Sequence, residues 1–116
     1  MRHRKKKVTL DRKVGPRTAL LKNLAMQVIL YEAVKTSDAK ARAVAPIVER
    51  AITRGKLGTL AARRLLLSQF STEHPVKKIF EVLAPRYKDR VGGYTRILKI
   101  GRRQGDAGEI VMIELV

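Results

Sequence analysis

Fourteen residues, Arg90-Val91-Gly92-Gly93-Tyr94-Thr95-Arg96-Ile97-Leu98-Lys99-Ile100-Gly101-Arg102-Arg103, limit the folds open to this chain. The Gly92-Gly93 pair is a breaker that permits positive φ or close backbone approach. Tyr94 to Ile100 is rich in β-branched and aromatic side chains and reads as a strand. Gly101 to Gly108 reads as a polar loop, and Glu109 to Val116 as a second strand. The expected product is a C-terminal hairpin carrying Arg90, Arg96, Arg102 and Arg103. Everything before it, apart from a basic arm, has helical spacing, so the helices must cover one face of a small sheet.

The helical part divides at its turn residues. Gly15-Pro16 opens a first helix, with proline tolerated in the first turn. Leu20, Leu21, Leu24, Ala25, Val28 and Ile29 recur at three and four residues and form one apolar face ending near Tyr31 or Glu32. Ala33-Val34-Lys35-Thr36 leans towards β structure and can join the hairpin as a third strand, which is more stable than a lone hairpin. Thr36 or Ser37 can cap a second helix from Asp38 to about Arg54, with Val44, Ile47, Val48, Ala51 and Ile52 as its buried stripe. Pro46 lies inside that stripe and should kink or restart the helix. Thr59 can cap a third helix, Leu60 to Phe70, and a fourth is expected from about Pro75 to Leu83, ended by Pro85. In the last strand Val111, Ile113 and Leu115 share the expected core side. Glu114 points the other way, within reach of Arg96 or Lys99. The expectation is an α+β fold in two layers, in the order helix, strand, three helices, two strands. It forms one domain over residues 1–116, with 1–15 a basic arm.

Charge narrows the function. With 26 Lys and Arg against 10 Asp and Glu, the formal charge is +16. A chain of this size carries that self-repulsion best beside a polyanion, with nucleic acid first and an anionic membrane second. The arm alone holds Arg2, Arg4, Lys5, Lys6, Lys7, Arg12, Lys13 and Arg17 against the single acid Asp11. Such a segment cannot offset its own ordering entropy, so it is expected to be extended when free and ordered against phosphates when bound. The competing reading is a solvated tail. No apolar run approaches the roughly 18–20 residues of a membrane span, and no apolar run follows the basic start as a secretory signal would require. There is no cysteine, and His3 and His74 lie in unlike surroundings, so neither a thiolate nor a histidine metal site is expected. No serine stands in a nucleophile elbow, and the Gly101 to Gly105 loop lacks the Walker pattern. No enzyme, cofactor or small-molecule substrate is expected.

The residues then match a known pattern. Met1-Arg2-His3-Arg4-Lys5, Leu10-Asp11-Arg12, Arg63-Arg64-Leu65, Leu83-Ala84-Pro85-Arg86-Tyr87, the run from Arg90 through Gly92-Gly93-Tyr94-Thr95-Arg96-Ile97-Leu98-Lys99, and Ile113-Glu114-Leu115-Val116 occur in order along the whole chain. In these the sequence resembles the family of ribosomal protein seventeen of the bacterial large subunit. The resemblance implies a cytoplasmic, ribosome-bound protein of two-layer fold that holds large-subunit ribosomal RNA near the peptide exit, beside neighbouring ribosomal proteins.

On that reading the candidate RNA contacts are His3 and the arm cations Arg2, Arg4, Lys5, Lys6, Lys7, Arg12, Lys13 and Arg17. Arg63 and Arg64 on the third helix, Arg86 and Arg90 in the linker, and Arg96, Lys99, Arg102 and Arg103 on the hairpin add to them. Tyr87 and Tyr94 can stack on unpaired bases, and Gly92 and Gly93 can bring backbone amides to a phosphate. Each has a plainer alternative: Tyr94 packed on a helix, Gly92-Gly93 a simple turn, and Arg102 and Arg103 a solvated loop tip. Two rivals stay open, a DNA-binding module built on the helical middle and a membrane-active protein with basic amphipathic helices.

Overall fold

A computed structural model describes Leu10 and residues 12–116. The elements follow one another as α1 (Val14–Tyr31), β1 (Ala33–Ser37), α2 (Asp38–Lys56), α3 (Leu60–Gln69), α4 (Glu73–Lys78), a π-helical turn (Ile79–Leu83), a last helical turn (Ala84–Arg86), β2 (Thr95–Arg102) and β3 (Glu109–Leu115). This is an α+β fold in the expected order. The sheet is antiparallel throughout with strand order β1-β3-β2, so the short third strand sits on β3.

One core joins the layers. Leu24, Ala25, Val28 and Ile29 of α1 meet Val44, Val48, Ala51 and Ile52 of α2, and Val111 and Ile113 of β3 close the cluster from the sheet. Leu20 and Leu21, at the start of the same α1 stripe, are only half-buried. The register pairs Ile97 with Ile113, Thr95 with Leu115 and Lys99 with Val111 on one face, which the helices cover around Ile97, Val111 and Ile113 and leave open at the Lys99 side chain. Leu98 and Ile100 are correspondingly exposed.

Local chemistry explains the element ends. Ser37 Oγ accepts from the Lys40 amide and Thr59 Oγ1 accepts from the Ala62 amide, each relieving one orphan donor of a helix start. α1 ends at Glu32 in the left-handed region, φ 64°, where its amide bonds the Val28 carbonyl.

Proline and glycine behave differently from the sequence expectation in two places, and at Pro46 the restart, one of the two expected outcomes, is absent. α2 runs unbroken through Pro46 without restarting. Pro46 is exposed, so the carbonyl left without its usual amide partner can be solvated. The fourth helix does not stop before Pro85, which lies within the last turn Ala84–Arg86. A proline in regular α-helix clashes with the carbonyl four residues back, here that of Glu81, and the widened turn Ile79–Leu83 spans that residue. Gly101 and Arg102, expected in the loop, lie inside β2. A register shift between Lys99 and Gly101 puts an extra residue into β2, and glycine tolerates such a bulge.

Of the glycines, Gly55 leaves the least room for a side chain. A Cβ built there falls well inside the van der Waals envelope of Ile79 Cγ2, and Ile79 is fully buried. Alanine has the higher helix propensity, but overpacking should dominate. Gly55→Ala is expected to lower stability by about 1–3 kcal/mol in denaturant titrations. Ile79→Leu removes the obstructing branch, so it should cost less in the Gly55→Ala background than in the native chain. Simple additivity of the two changes would mean that this close approach does not limit the packing.

Candidate nucleic-acid interface

The cations fall into two populations. One is paired with acids inside the fold. Glu32 takes Lys78 Nζ at 3.0 Å and also Arg86, Arg96 meets Glu114 across β2 and β3, and Lys99 lies 3.7 Å from Glu109. Arg103 Nη2 is 2.7 Å from Asp106 Oδ2, and Arg42 Nε is 3.1 Å from Asp38. Arg86, Arg96, Lys99 and Arg103 were all expected to touch RNA. Each already has a carboxylate, so each offers a polyanion less net charge than its count suggests.

The second population has no ion pair among the described residues. It includes Arg12, Lys13, Arg17, Arg64, Arg90 and Arg102 of the expected set, together with Lys22, Arg50 and Arg54. Arg12 and Lys13 are exposed at the root of α1, and the Lys13 carbonyl accepts from the Arg17 amide at 2.9 Å. α1 has no acid in its first turn and no side-chain cap, so no described acid compensates its positive end there. Arg64 faces outward, while Arg63 is half-buried with its guanidinium 5.3 Å from the Phe80 ring centroid. Arg102 is opposite Glu109 near the end of β2 rather than at a loop tip. Arg2, His3, Arg4, Lys5, Lys6 and Lys7 lie outside the described residues.

Two expected base-stacking residues are corrected. Tyr87 is 3% exposed and Tyr94 1% exposed, so neither ring has a free face. Their centroids are 5.0 Å apart with planes tilted by 49°. Tyr87 donates to the Val116 carbonyl at 2.7 Å, and Tyr94 donates to the Arg90 carbonyl at 3.2 Å while accepting from Lys56 Nζ at 3.1 Å. Burial alone pushes the Tyr94 phenol up. Hydrogen bonds from Thr53 and Lys56, with the lysine charge, outweigh burial and hold it below its ordinary value. The pair clamps the linker, the start of β2 and the chain end together. Gly93, at φ 65°, makes the turn before β2, and its carbonyl accepts from Arg90 Nη1 at 3.2 Å. Gly92 is exposed with open space where a side chain would stand.

The residues missed from sequence form a cleft. Thr18, Leu21 and Lys22 of α1, Ile47, Arg50 and Arg54 of α2, and Ser68, Gln69 and Phe70 at the end of α3 line about 590 Å³. A smaller recess of about 360 Å³ lies on the other side of the same two arginines, between Pro46, Glu49, Thr53, Gly92 and Tyr94. The signal available in sequence was the i, i+4 spacing of Arg50 and Arg54 beside Ile47 on one helix edge. Among the described residues there is no group of three His, Cys, Asp or Glu able to hold a metal, and no helix long and apolar enough to cross a membrane.

Comparison with known proteins decides the family. The model of the family "Ribosomal protein L17" matches residues 20–116. The chain belongs to the ribosomal protein L17 family. It is 49% identical over 107 residues to large ribosomal subunit protein bL17 of Desulfitobacterium hafniense, covering 92% of this chain and 96% of that protein. It is 46% identical over 117 residues to bL17 of a Hydrogenobaculum species, covering 100% and 99%. It is 44% identical over 116 residues to bL17 of Thermomicrobium roseum, again covering 100% and 99%. Members of the L17 family are structural proteins rather than enzymes.

The paired population makes a pH prediction. The hydrogen bond from Arg86 and then that from Lys78 hold the Glu32 carboxyl at about 2, down from its ordinary 4.5. A depressed folded-state value stabilises the protein above the unfolded value and is lost as pH falls through the folded one. Stability should therefore drop between about pH 4.5 and 2. The side chain is 35% exposed, so water screens the pair to on the order of 1 kcal/mol. In denaturant titrations across that range, Glu32→Gln should be less stable than the native chain near neutrality and should converge with it in acid. A constant difference at every pH would show that the charge is not what matters.

Proposed function

We propose that this protein is a structural constituent of the large ribosomal subunit, held to ribosomal RNA by its basic arm and by the uncompensated cations at the root and flank of α1 and α2. The support is twofold. The family and its bL17 relatives are ribosomal, and Arg12, Lys13 and Arg17 at the arm root carry no ion pair among the described residues, while Arg96, Lys99 and Arg103 of the hairpin are matched by acids. Lysines and arginines that neutralise phosphates release counterions, and arginine adds a planar fork for phosphate or for an exposed base. No catalytic step, cofactor or small-molecule substrate enters the mechanism.

Within the same proposal, the protein sits on cytoplasmic ribosomes in the region of the peptide exit, beside other large-subunit proteins. The outer face of the sheet offers them Leu98 and Ile100, 43% and 50% exposed, bordered by the Arg96–Glu114 pair. Arg64, Arg90 and Arg102 form the outer basic rim, and Arg2, His3, Arg4, Lys5, Lys6 and Lys7 supply the arm's hold on RNA.

The decisive experiment is sedimentation of the tagged native protein in sucrose gradients at moderate and high salt. Co-migration with the large subunit that survives high salt is expected. A position at the top of the gradient under both conditions would overturn the assignment.

Removing residues 1–13 tests the arm separately. The truncated protein should fold, bind ribosomal RNA much more weakly, and show a salt dependence shallower by roughly 0.7–0.9 in log–log slope for each phosphate it no longer neutralises. Unchanged affinity and slope would make the arm a solvated tail.

A further inference from the structure

We propose that the cleft between α1, α2 and the end of α3 holds a single unstacked nucleotide of RNA, with its base against the apolar wall and its phosphates on the cationic rim. The inference rests on the RNA-binding reading above and deepens it. A flat array of lysines and arginines suffices to neutralise a helix backbone. This cleft has more than that. Half-buried Leu21 and Ile47 line it with Lys22, Arg50 and Arg54, Phe70 backs it while itself buried, and no carboxylate is among its described lining residues.

Size and polarity agree with that occupant. A volume of about 590 Å³ exceeds what a lone phosphate needs and lies in the roughly 300–1,000 Å³ range of small-molecule sites. Thr18, Ser68 and Gln69 add two hydroxyls and an amide, groups able to meet the edge of a base or a ribose hydroxyl. Lys22 Nζ donates to Ser71 Oγ at 2.9 Å, which ties the ammonium to the segment just beyond α3. The neighbouring recess is a poorer phosphate site because Glu49 lines it. The Glu49 carboxylate accepts from the Thr95 amide and hydroxyl at 3.4 and 3.2 Å. Arg50 and Arg54 form the ridge between the two, so phosphates flanking an inserted base would cross that ridge. Arg17 precedes Thr18 directly, so an RNA strand held by the arm root has a short path to the cleft.

The test is fluorescence anisotropy of the full chain with RNA hairpins that differ at one place. One hairpin is fully paired, four carry a single A, C, G or U bulge, and one carries an abasic bulge. At least one base bulge should bind roughly tenfold more tightly than the paired and abasic hairpins. Gln69→Glu, which puts a carboxylate at the exposed mouth, should lower affinity for the preferred base bulge more than affinity for the paired hairpin, with the melting temperature unchanged. Arg50→Ala should weaken all six hairpins and lower the salt slope by roughly 0.7–0.9. Equal binding of base and abasic bulges would overturn the nucleotide site and leave RNA binding intact, as would displacement of the bulged hairpin by a stoichiometric oligoglutamate. Failure to bind any hairpin at low salt would overturn the RNA-binding reading as well.

Discussion

Glu32 is the residue on which both layers depend. Its amide closes α1 on Val28, its carbonyl accepts from the Leu115 amide at 2.8 Å, and its carboxylate takes Lys78 and Arg86. One residue thus ends the first helix, anchors the end of β3 and fixes both ends of the segment from α4 to Arg86. Lys78 also donates to the Leu30 carbonyl at 2.8 Å, placing a cation at the negative end of α1. A left-handed position would ordinarily favour glycine. Glycine here would relieve the backbone but delete the carboxylate, and the two cations would be left without their shared partner.

This constraint bears on how the charge is distributed. The chain has 10 acidic residues for 26 basic ones, so where the acids go decides which basic surface stays active. Glu32, Glu109, Glu114 and Asp106 all serve the sheet and its flanking turns. Asp106 is held at about 2, first by the Arg103 hydrogen bond and then by the Gly108 amide, so it remains a carboxylate throughout the useful pH range. The hairpin is therefore basic in composition and largely compensated in fact. The surface made by α1, α2 and α3 has few such partners. A polyanion would be drawn to that side by the field and would meet the apolar cleft there.

What sequence reasoning captured is what depends on neighbours along the chain. The caps at Ser37 and Thr59, the apolar stripe of α1 and the β character of Ala33 to Thr36 are local, and the strands found each other as alternation requires. What it missed depends on distant partners. Packing on a helix is one sequence reading of Tyr94; what the sequence does not show is that the Tyr87 and Tyr94 rings meet, with centroids 5.0 Å apart, and that Thr53 and Lys56 of α2 are hydrogen-bonded to the Tyr94 hydroxyl. The widened turn before Pro85 and the bulge at Gly101 are accommodations whose location one-residue preferences do not specify. The cleft was hidden because its three cations come from two helices, each of which shows them only as charges beside an apolar stripe. Tertiary packing turns that edge into a wall.

α2 shows why the proposed binding surface and the core cannot vary independently. Val44, Val48, Ala51, Ile52 and Gly55 face inward, with Gly55 letting Ile79 come up against the helix backbone. Ile47, Arg50 and Arg54 recur at three and four residues along the adjoining edge and form one side of the cleft. The helix passes through Pro46 without interruption, and Arg50 and Arg54, about one turn apart, keep their place beside the buried stripe. A change that rotates or displaces α2 to ease the crowding at Gly55 would move Arg50 and Arg54 relative to Lys22 on α1. The packing that stabilises the helical layer therefore also sets the width of the cleft, and a stripe chosen only for burial would leave that width unspecified.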